Sequence, residues 1–162
     1  MYNIEPITPK NRELATEFIA RKWHTTQIVV RGETVDCTQI DGFIALDAAK
    51  ENVIGQTVYI FRGDACEIVL LNSEQKCAGL GSALIEKVKG AALAHSSKIL
   101  RLVTTNDNLN AIGFYQKRGF ELVGLNLGAF DRLRESIPQI PLIGDNGIPL
   151  HHEIHFAMDL NK

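Results

Sequence analysis

Glu67-Ile68-Val69-Leu70-Leu71, then a polar connection from Asn72 to Ala78, then Gly79-Leu80-Gly81-Ser82 opening a helical stripe: this stretch decides the fold. The first run is short, apolar and bounded by turn residues, which predicts a fully buried strand. Leu80, Ala83, Leu84, Val88, Ala91 and Ala92 recur at helical spacing with Ser82, Glu86 and Lys89 opposite, which predicts an amphipathic helix. Gly90 inside that helix costs about 1 kcal/mol relative to alanine and suggests close packing on a sheet. A glycine turn between strand and helix lets the backbone approach a ligand. Its N–H groups and the helix N-terminus make an anion site, and Lys76 adds a full charge. The same residues also suit a plain strand-to-helix turn. A dinucleotide fingerprint fits poorly, because Leu84 stands at the third glycine position. A Walker loop fits no better, since Gly81-Ser82 has no lysine between.

Upstream, Tyr2, Ile4 and Ile7 alternate loosely as a strand, and Thr8-Pro9 offers a helix cap with proline at the first helical position. Leu14, Phe18 and Ile19 then predict a first helix running towards Trp23. Strand formers dominate Ile28 to Val30, Phe43 to Leu46 and Val53 to Phe61, with Gly55 as a candidate bulge. Arg62-Gly63-Asp64 reads as a tight turn that closes a hairpin onto the Glu67 strand. Downstream, Ile99 to Thr105 is a strand, Leu109 to Arg118 a short helix, and Gly119 its left-handed cap before the strand Phe120 to Leu127. Residues 128 to 150 hold three of the five prolines and read as an ordered loop with one helical turn at Asp131 to Glu135. Ile154, Phe156 and Met158 alternate as a closing strand.

A chain of 162 residues with 45% hydrophobic and 22% charged residues is sized for a single domain, residues 1–162, without repeat or low-complexity tract. The formal net charge of -2 removes the electrostatic footprint of general nucleic-acid binding, so nucleic acid is not an expected partner. Met1 to Glu5 lacks the basic start and apolar run of a signal peptide, and no run has the length of a membrane span. Three cysteines, Cys37, Cys66 and Cys77, form no metal-ligand or disulfide spacing. The expectation is a soluble, reduced, cytoplasmic protein that needs no membrane.

The run Lys76-x-x-Gly79-x-Gly81, followed by Asn108-x-x-Ala111-x-x-Phe114-Tyr115-x-x-x-Gly119-Phe120, resembles the two motifs of the GNAT superfamily of acyl-CoA N-acyltransferases. The order of strands and helices resembles that family from Tyr2 to Leu160. The tail from Ile137 to Ile154 resembles a bacterial subgroup with an I-P-x-I-P-x-x-G-x-x-G-I-P pattern. Lys76 departs from the family's usual Arg or Gln, keeping charge but losing guanidinium geometry. The resemblance implies an α/β (α+β) fold with a mixed, mostly antiparallel central sheet of about seven strands, flanked by helices on both faces. It implies acetyl-CoA as co-substrate, its pyrophosphate held by the backbone of Lys76, Cys77, Ala78, Gly79, Leu80, Gly81 and Ser82. The main chain near Leu71 would pair with the pantetheine arm, and Asn108 and Tyr115 would lie beside it near the thioester. No metal is expected.

Direct transfer needs a neutral amine, a polarised thioester and a partner for the departing thiolate. Tyr115 suits the last role, against the reading that Phe114 and Tyr115 are both core aromatics. Glu67 is the candidate for handling the amine proton, directly or through a water relay, against an edge or solvent-facing carboxylate. Trp23, His24 and the 128 to 150 loop are candidate specificity elements, and Arg132 and Arg134 candidate receivers of an acidic substrate group. Cys77 could be an acidified thiol or a small filler. His151, Glu153 and His155 could share a strand face as metal ligands or simply be solvated. The leading expectation is N-acetyl transfer to a primary amine of a small molecule. A protein or peptide acetyltransferase and a non-catalytic CoA-binding sensor are the alternatives, and a homodimer is expected by analogy only.

Overall fold

Val53–Arg62 (β5) and Ala65–Ser73 (β6) form the hairpin foreseen at Arg62-Gly63-Asp64, with Arg62 opposite Ala65 and Gly63 at φ 60°. A positive φ at the first loop position suits a residue without Cβ. A computed structural model describes residues 1–74 and 78–162, in two compact units: 1–100 with 160–162, and 101–159. The fold is mixed α/β, with four α-helices and a mostly antiparallel seven-stranded sheet among the described residues.

In the first unit, Tyr2–Pro6 (β1), Asp41–Asp47 (β4), β5 and β6 pair antiparallel in that order. Leu80–Ala94 (α2) drops Leu80 and Leu84 onto Ala45, with Tyr2, Ile4, Phe43, Ile54 and Leu71 packed around them. Ala45 faces Gly55 while Leu46 faces Val53, so Ile54 is the extra residue of a bulge beside Gly55. A Cβ on Gly55 would stand 2.8 Å from Leu80 Cδ2, so this glycine is what lets α2 approach the sheet. Gly90 has no such role: it is exposed, with nothing within 4 Å of a would-be Cβ.

The first helix, Arg12–Trp23 (α1), starts later than Thr8-Pro9 suggested. Asn11 is its N-cap residue and closes the preceding turn: its Oδ1 accepts from Thr8 N at 2.7 Å and its Nδ2 donates to Pro6 O at 3.0 Å. The later start turns Ala15, Phe18 and Ile19 inward and leaves Leu14 exposed. Gln27–Val30 (β2) and Glu33–Asp36 (β3) make a separate hairpin, turning at Arg31 (φ 52°) and Gly32 (φ 79°). The sequence offers only Val35 as an apolar signal for β3, which exists through its pairing with β2.

The second unit takes up Ile99–Thr105 (β7) from Arg101 onward, then Leu109–Lys117 (α3), Glu121–Asn126 (β8), Ala129–Ser136 (α4) and Glu153–Asp159 (β9). Its strands lie in the order β7-β9-β8, and Gly119 takes the expected left-handed conformation at φ 92°. Leu122 faces Phe156 and Gly124 faces His155, so Val123 bulges. Between β8 and β9 the expected loop contains a full helix, α4, entered through Gly128 at φ 68°. That helix buries no residue, which is why apolar periodicity did not announce its length.

Candidate active site

In the first unit, β6 delivers the chain to the start of α2. Leu71, half-buried opposite Thr57, packs on the α2 core. Lys76 and Cys77 lie outside the described residues. Ala78 and Gly79 are exposed, Leu80 and Gly81 are buried, and Ser82 is half-buried. Gly79 is the N-cap residue of α2 at φ 81°, with no side-chain cap and no acidic residue in the first turn. No carboxylate of that turn therefore competes with an anion for the positive end of the helix.

Glu67 is completely buried on β6, opposite Ile60. It is neither an edge nor a solvent-facing carboxylate: its Oε1 accepts a hydrogen bond from Arg31 Nε at 2.6 Å, reaching across from the tip of the β2–β3 hairpin. Arg62 bonds Glu33 at 2.6 Å and ties the same hairpin to the end of β5. Burial, with the Glu67 charge adding to it, pushes the Cys66 thiol up to about 12. Trp23 ends α1 with 43% of its surface exposed, and His24 caps that helix in a left-handed conformation, its N–H donating to Ala20 O.

In the second unit, Asn108 is the N-cap residue of α3 and its Oδ1 accepts from Ala111 N at 3.1 Å, a bond that satisfies one orphan donor of the helix. About two helical turns further on, Tyr115 sits among Phe114, Phe120 and Phe156 at ring-centroid distances of 5.3, 5.6 and 6.0 Å. Only 9% of Tyr115 is exposed, and burial pushes its phenol up to about 12. The ring is thus a core aromatic in its packing, whatever its hydroxyl does.

Arg134 is occupied as a staple: it donates to Ile140 O, Pro141 O and Leu150 O and bridges Asp131 at 3.0 Å. Arg132 is exposed and donates to Leu127 O at 2.8 Å and Asn126 Oδ1 at 2.6 Å. The histidines take separate partners: His151 pairs with Asp131, His155 with Glu153, and His152 Nδ1 accepts from Gly128 N. The hydrogen bond from His151 leads the causes that lower the Asp131 carboxyl below its ordinary value. Among the described residues no three His, Cys, Asp or Glu groups are gathered as a metal site, and no helix is long and apolar enough to cross a membrane.

Three residues with structural weight escaped the sequence reading. Asn106 Oδ1 accepts from both His151 N and His152 N, at 2.9 and 2.8 Å, and fixes the entry to β9. Asp107, buried next to it, receives Asp145 N at 2.7 Å. Arg31 was signalled only by Arg31-Gly32 between two runs of strand formers.

The model of the acetyltransferase (GNAT) family matches residues 8–120. Two proteins of Bacillus subtilis (strain 168), both named as uncharacterized, are relatives. YxbD is 37% identical over 158 residues, covering 98% of this chain and 99% of YxbD. YdhI is 36% identical over 154 residues, covering 93% and 96%. Among solved structures, an IAA acetyltransferase from Bacillus cereus ATCC 14579 superposes with TM-score 0.69 at 22% identity, over 98% of this chain and 99% of that one. A GNAT family acetyltransferase from Elizabethkingia anophelis with acetyl-CoA bound gives 0.67 at 20%, over 98% and 97%. The ribosomal-protein-S18-alanine N-acetyltransferase from Escherichia coli gives 0.68 at 14%, over 99% and 94%. At these identities the structural likeness is a likeness of fold.

Proposed function

We propose, for a chain that belongs to the acetyltransferase (GNAT) family and is an acyl-CoA N-acyltransferase, that it transfers the acetyl group of acetyl-CoA to a primary amine of a small molecule by direct attack in a ternary complex. The observation that carries the donor side is the glycine-capped start of α2, the next element after β6 in the described chain, with Gly79 at φ 81° and no acid in the first turn. In this reading the backbone from Lys76 to Ser82 holds the pyrophosphate, the main chain at Leu71 pairs with the pantetheine arm, and Asn108 lies beside it. Gly79→Val tests that placement, because the substitution is strained at positive φ and fills the approach to the backbone. Weakened acetyl-CoA binding supports the placement, and wild-type affinity in a folded variant overturns it.

Freeing an alkylammonium of pKa about 10.4 at pH 7 costs about 4–5 kcal/mol, which the site must offset. Glu67, on the strand that precedes α2, is the residue assigned to pass that proton on through a water relay. Tyr115 answers the leaving group. With its phenol at about 12, full proton donation to a thiolate of pKa about 8.5 is uphill by about 5 kcal/mol. Tyr115 therefore stabilises the thiolate by donating a hydrogen bond and keeps its proton.

The decisive experiment is thiol release from acetyl-CoA with a panel of polyamines, amino acids, aminoglycosides and basic peptides. Release stimulated by small amines supports the reading. Release stimulated by peptides alone replaces it with protein acetylation, the activity for which one protein of this fold, the ribosomal-protein-S18-alanine N-acetyltransferase, is named. Acetyl-CoA binding without release under any acceptor leaves a sensor module.

A further inference from the structure

β9 carries two chemistries on alternate residues. Ile154 and Phe156 stand opposite Leu125 and Leu122 of β8, and the Phe156 ring centroid is 6.0 Å from that of Tyr115. Glu153 and His155 take the other face of the strand, where Asn126 and Gly124 are their β8 partners. The Glu153 side chain is 6% exposed, and its Oε1 accepts from His155 Nε2 at 2.7 Å, while 22% of the His155 side chain is exposed. The carboxylate is thus inside and the imidazole towards the surface. A carboxylate only accepts, so this bond puts the proton of the neutral ring on Nε2 and the lone pair on Nδ1. Gly124 brings no side chain over that nitrogen: a Cβ there would stand 3.5 Å from Nδ1, and a longer side chain would cover it. The Gly124 backbone is not left-handed and does not itself call for glycine.

We propose that His155 is a catalytic residue of the acetyl transfer, its Nδ1 taking a proton from the acceptor ammonium, with Glu153 as the positioning residue that fixes the tautomer. This rests on the transferase reading and gives it a proton acceptor additional to Glu67. Ordinary imidazoles, at about 6.5, lie about two pH units nearer to an alkylammonium at about 10.4 than ordinary carboxylates at about 4.3, so the proton passes to one about a hundredfold more readily. A buried acid that orients an imidazole and stabilises its charged form is also a recurring arrangement for a general base. The ammonium gives one proton to Nδ1 and becomes the neutral amine that attacks the thioester carbonyl. As the C–N bond forms and the C–S bond breaks, sulfur takes the electron pair and leaves as thiolate. The nitrogen sheds its second proton to water, and the imidazolium returns its own to solvent, where the thiolate is reprotonated.

Two measurements on the full chain test this, with far-UV circular dichroism and thermal melting as checks on folding. NMR of the imidazole nitrogens in the wild type should show the His155 proton on Nε2; a neutral ring with its proton on Nδ1 overturns the proposal. Thiol release from acetyl-CoA is then followed with an alkylamine, which is protonated at pH 7, and with methoxyamine, which is neutral there. His155→Gln should lower kcat for the alkylamine about a hundredfold and for methoxyamine less than about threefold, with acetyl-CoA affinity unchanged, because only the alkylamine must lose a proton before it attacks. Gly124→Leu keeps both members of the pair, covers Nδ1 and should give the same split. Glu153→Gln, whose amide can accept from the ring or donate to it, should show both His155 tautomers and lower kcat for the alkylamine about tenfold. Equal losses with the two amines, or no loss, overturn the role of His155 and leave the transferase reading intact. A wild type that releases no thiol with any acceptor overturns the transferase reading, and this role with it.

Discussion

Arg31 Nε stands 2.6 Å from Oε1 of Glu67, a carboxylate without solvent exposure, and the arginine reaches it from a left-handed position at φ 52°. An isolated two-stranded hairpin is marginal in water. The β2–β3 hairpin is held by burial of Val30 and Val35 and by two ion pairs, Arg31–Glu67 at its tip and the more exposed Arg62–Glu33 beside it. Breaking the tip pair from the arginine side takes a charged partner from a buried carboxylate, which costs more than the pair contributes when both charges go together. Arg31→Gln should lower stability by about 2–4 kcal/mol, a discount on a fully buried pair because Arg31 is partly exposed. Arg31→Gln with Glu67→Gln should recover more than half of that. Urea denaturation of the four proteins checks the coupling, and additive single effects would dismiss it.

A second lock joins Asp107 to the segment before β9. Asp107 Oδ2 accepts from Asp145 N at 2.7 Å, and a Cβ placed on Gly144 would fall within 2.1 Å of that same oxygen. Here φ is not the constraint; the missing Cβ is what allows the close approach. Gly144→Ala should cost about 1–3 kcal/mol in stability as the segment shifts off Asp107. Limited proteolysis should then cut between residues 137 and 150 faster than in the wild type. Unchanged cleavage and unchanged urea midpoint would mean the contact is dispensable.

The two described cysteines are built to stay inert. Cys37 and Cys66 are buried, and burial pushes both thiols up to about 12, with the Asp36 and Glu67 charges adding to the effect. Since the thiolate is the reactive form, neither should react with a disulfide reagent in the native protein at pH 8. The experiment uses Cys77→Ser, so that only these two thiols are counted. Modification should wait for unfolding, and fast modification of either thiol in folded protein would contradict its burial.

Local signals carried far into the fold and stopped where partners are distant in sequence. The Arg62-Gly63-Asp64 turn, the bulge at Gly55, the Gly119 cap and the β9 alternation each rest on residues within a turn or a strand, and each is found where the sequence put it. The start of α1 moved because Asn11, not Thr8, holds its N-cap position, its side chain bonded back to Thr8 and Pro6 in a turn that no capping pattern announces. α4 stayed hidden because it buries nothing, and its Arg134 staples carbonyls up to 16 residues away. In the candidate site, Glu67 was readable as a carboxylate on a buried strand. Its partner was not, being 36 residues distant, and the Asp107–Asp145 contact spans 38.

Tyr115 makes a prediction whose sign follows from its burial. Its folded-state pKa is raised to about 12 from an ordinary value of 10.0. Below pH 10 both folded and unfolded chains keep the phenol protonated, and the contribution to stability is fully present. Between pH 10 and 12 the unfolded chain loses the proton first, so stability falls as pH rises, by about 2–3 kcal/mol across that window. Cys37 and Cys66, raised from 9.0 to about 12, add to the alkaline loss. Comparison with Tyr115→Phe isolates the phenol: urea midpoints measured at pH 9 and pH 11 should drop less in the variant. If the hydroxyl also serves the departing thiolate, the same variant should lower kcat about a hundredfold while leaving acetyl-CoA affinity unchanged. It should also leave the pH–rate profile without a new alkaline limb below pH 10, because the wild-type phenol does not titrate there. A reduced alkaline loss with an unchanged kcat would assign Tyr115 to the aromatic core alone.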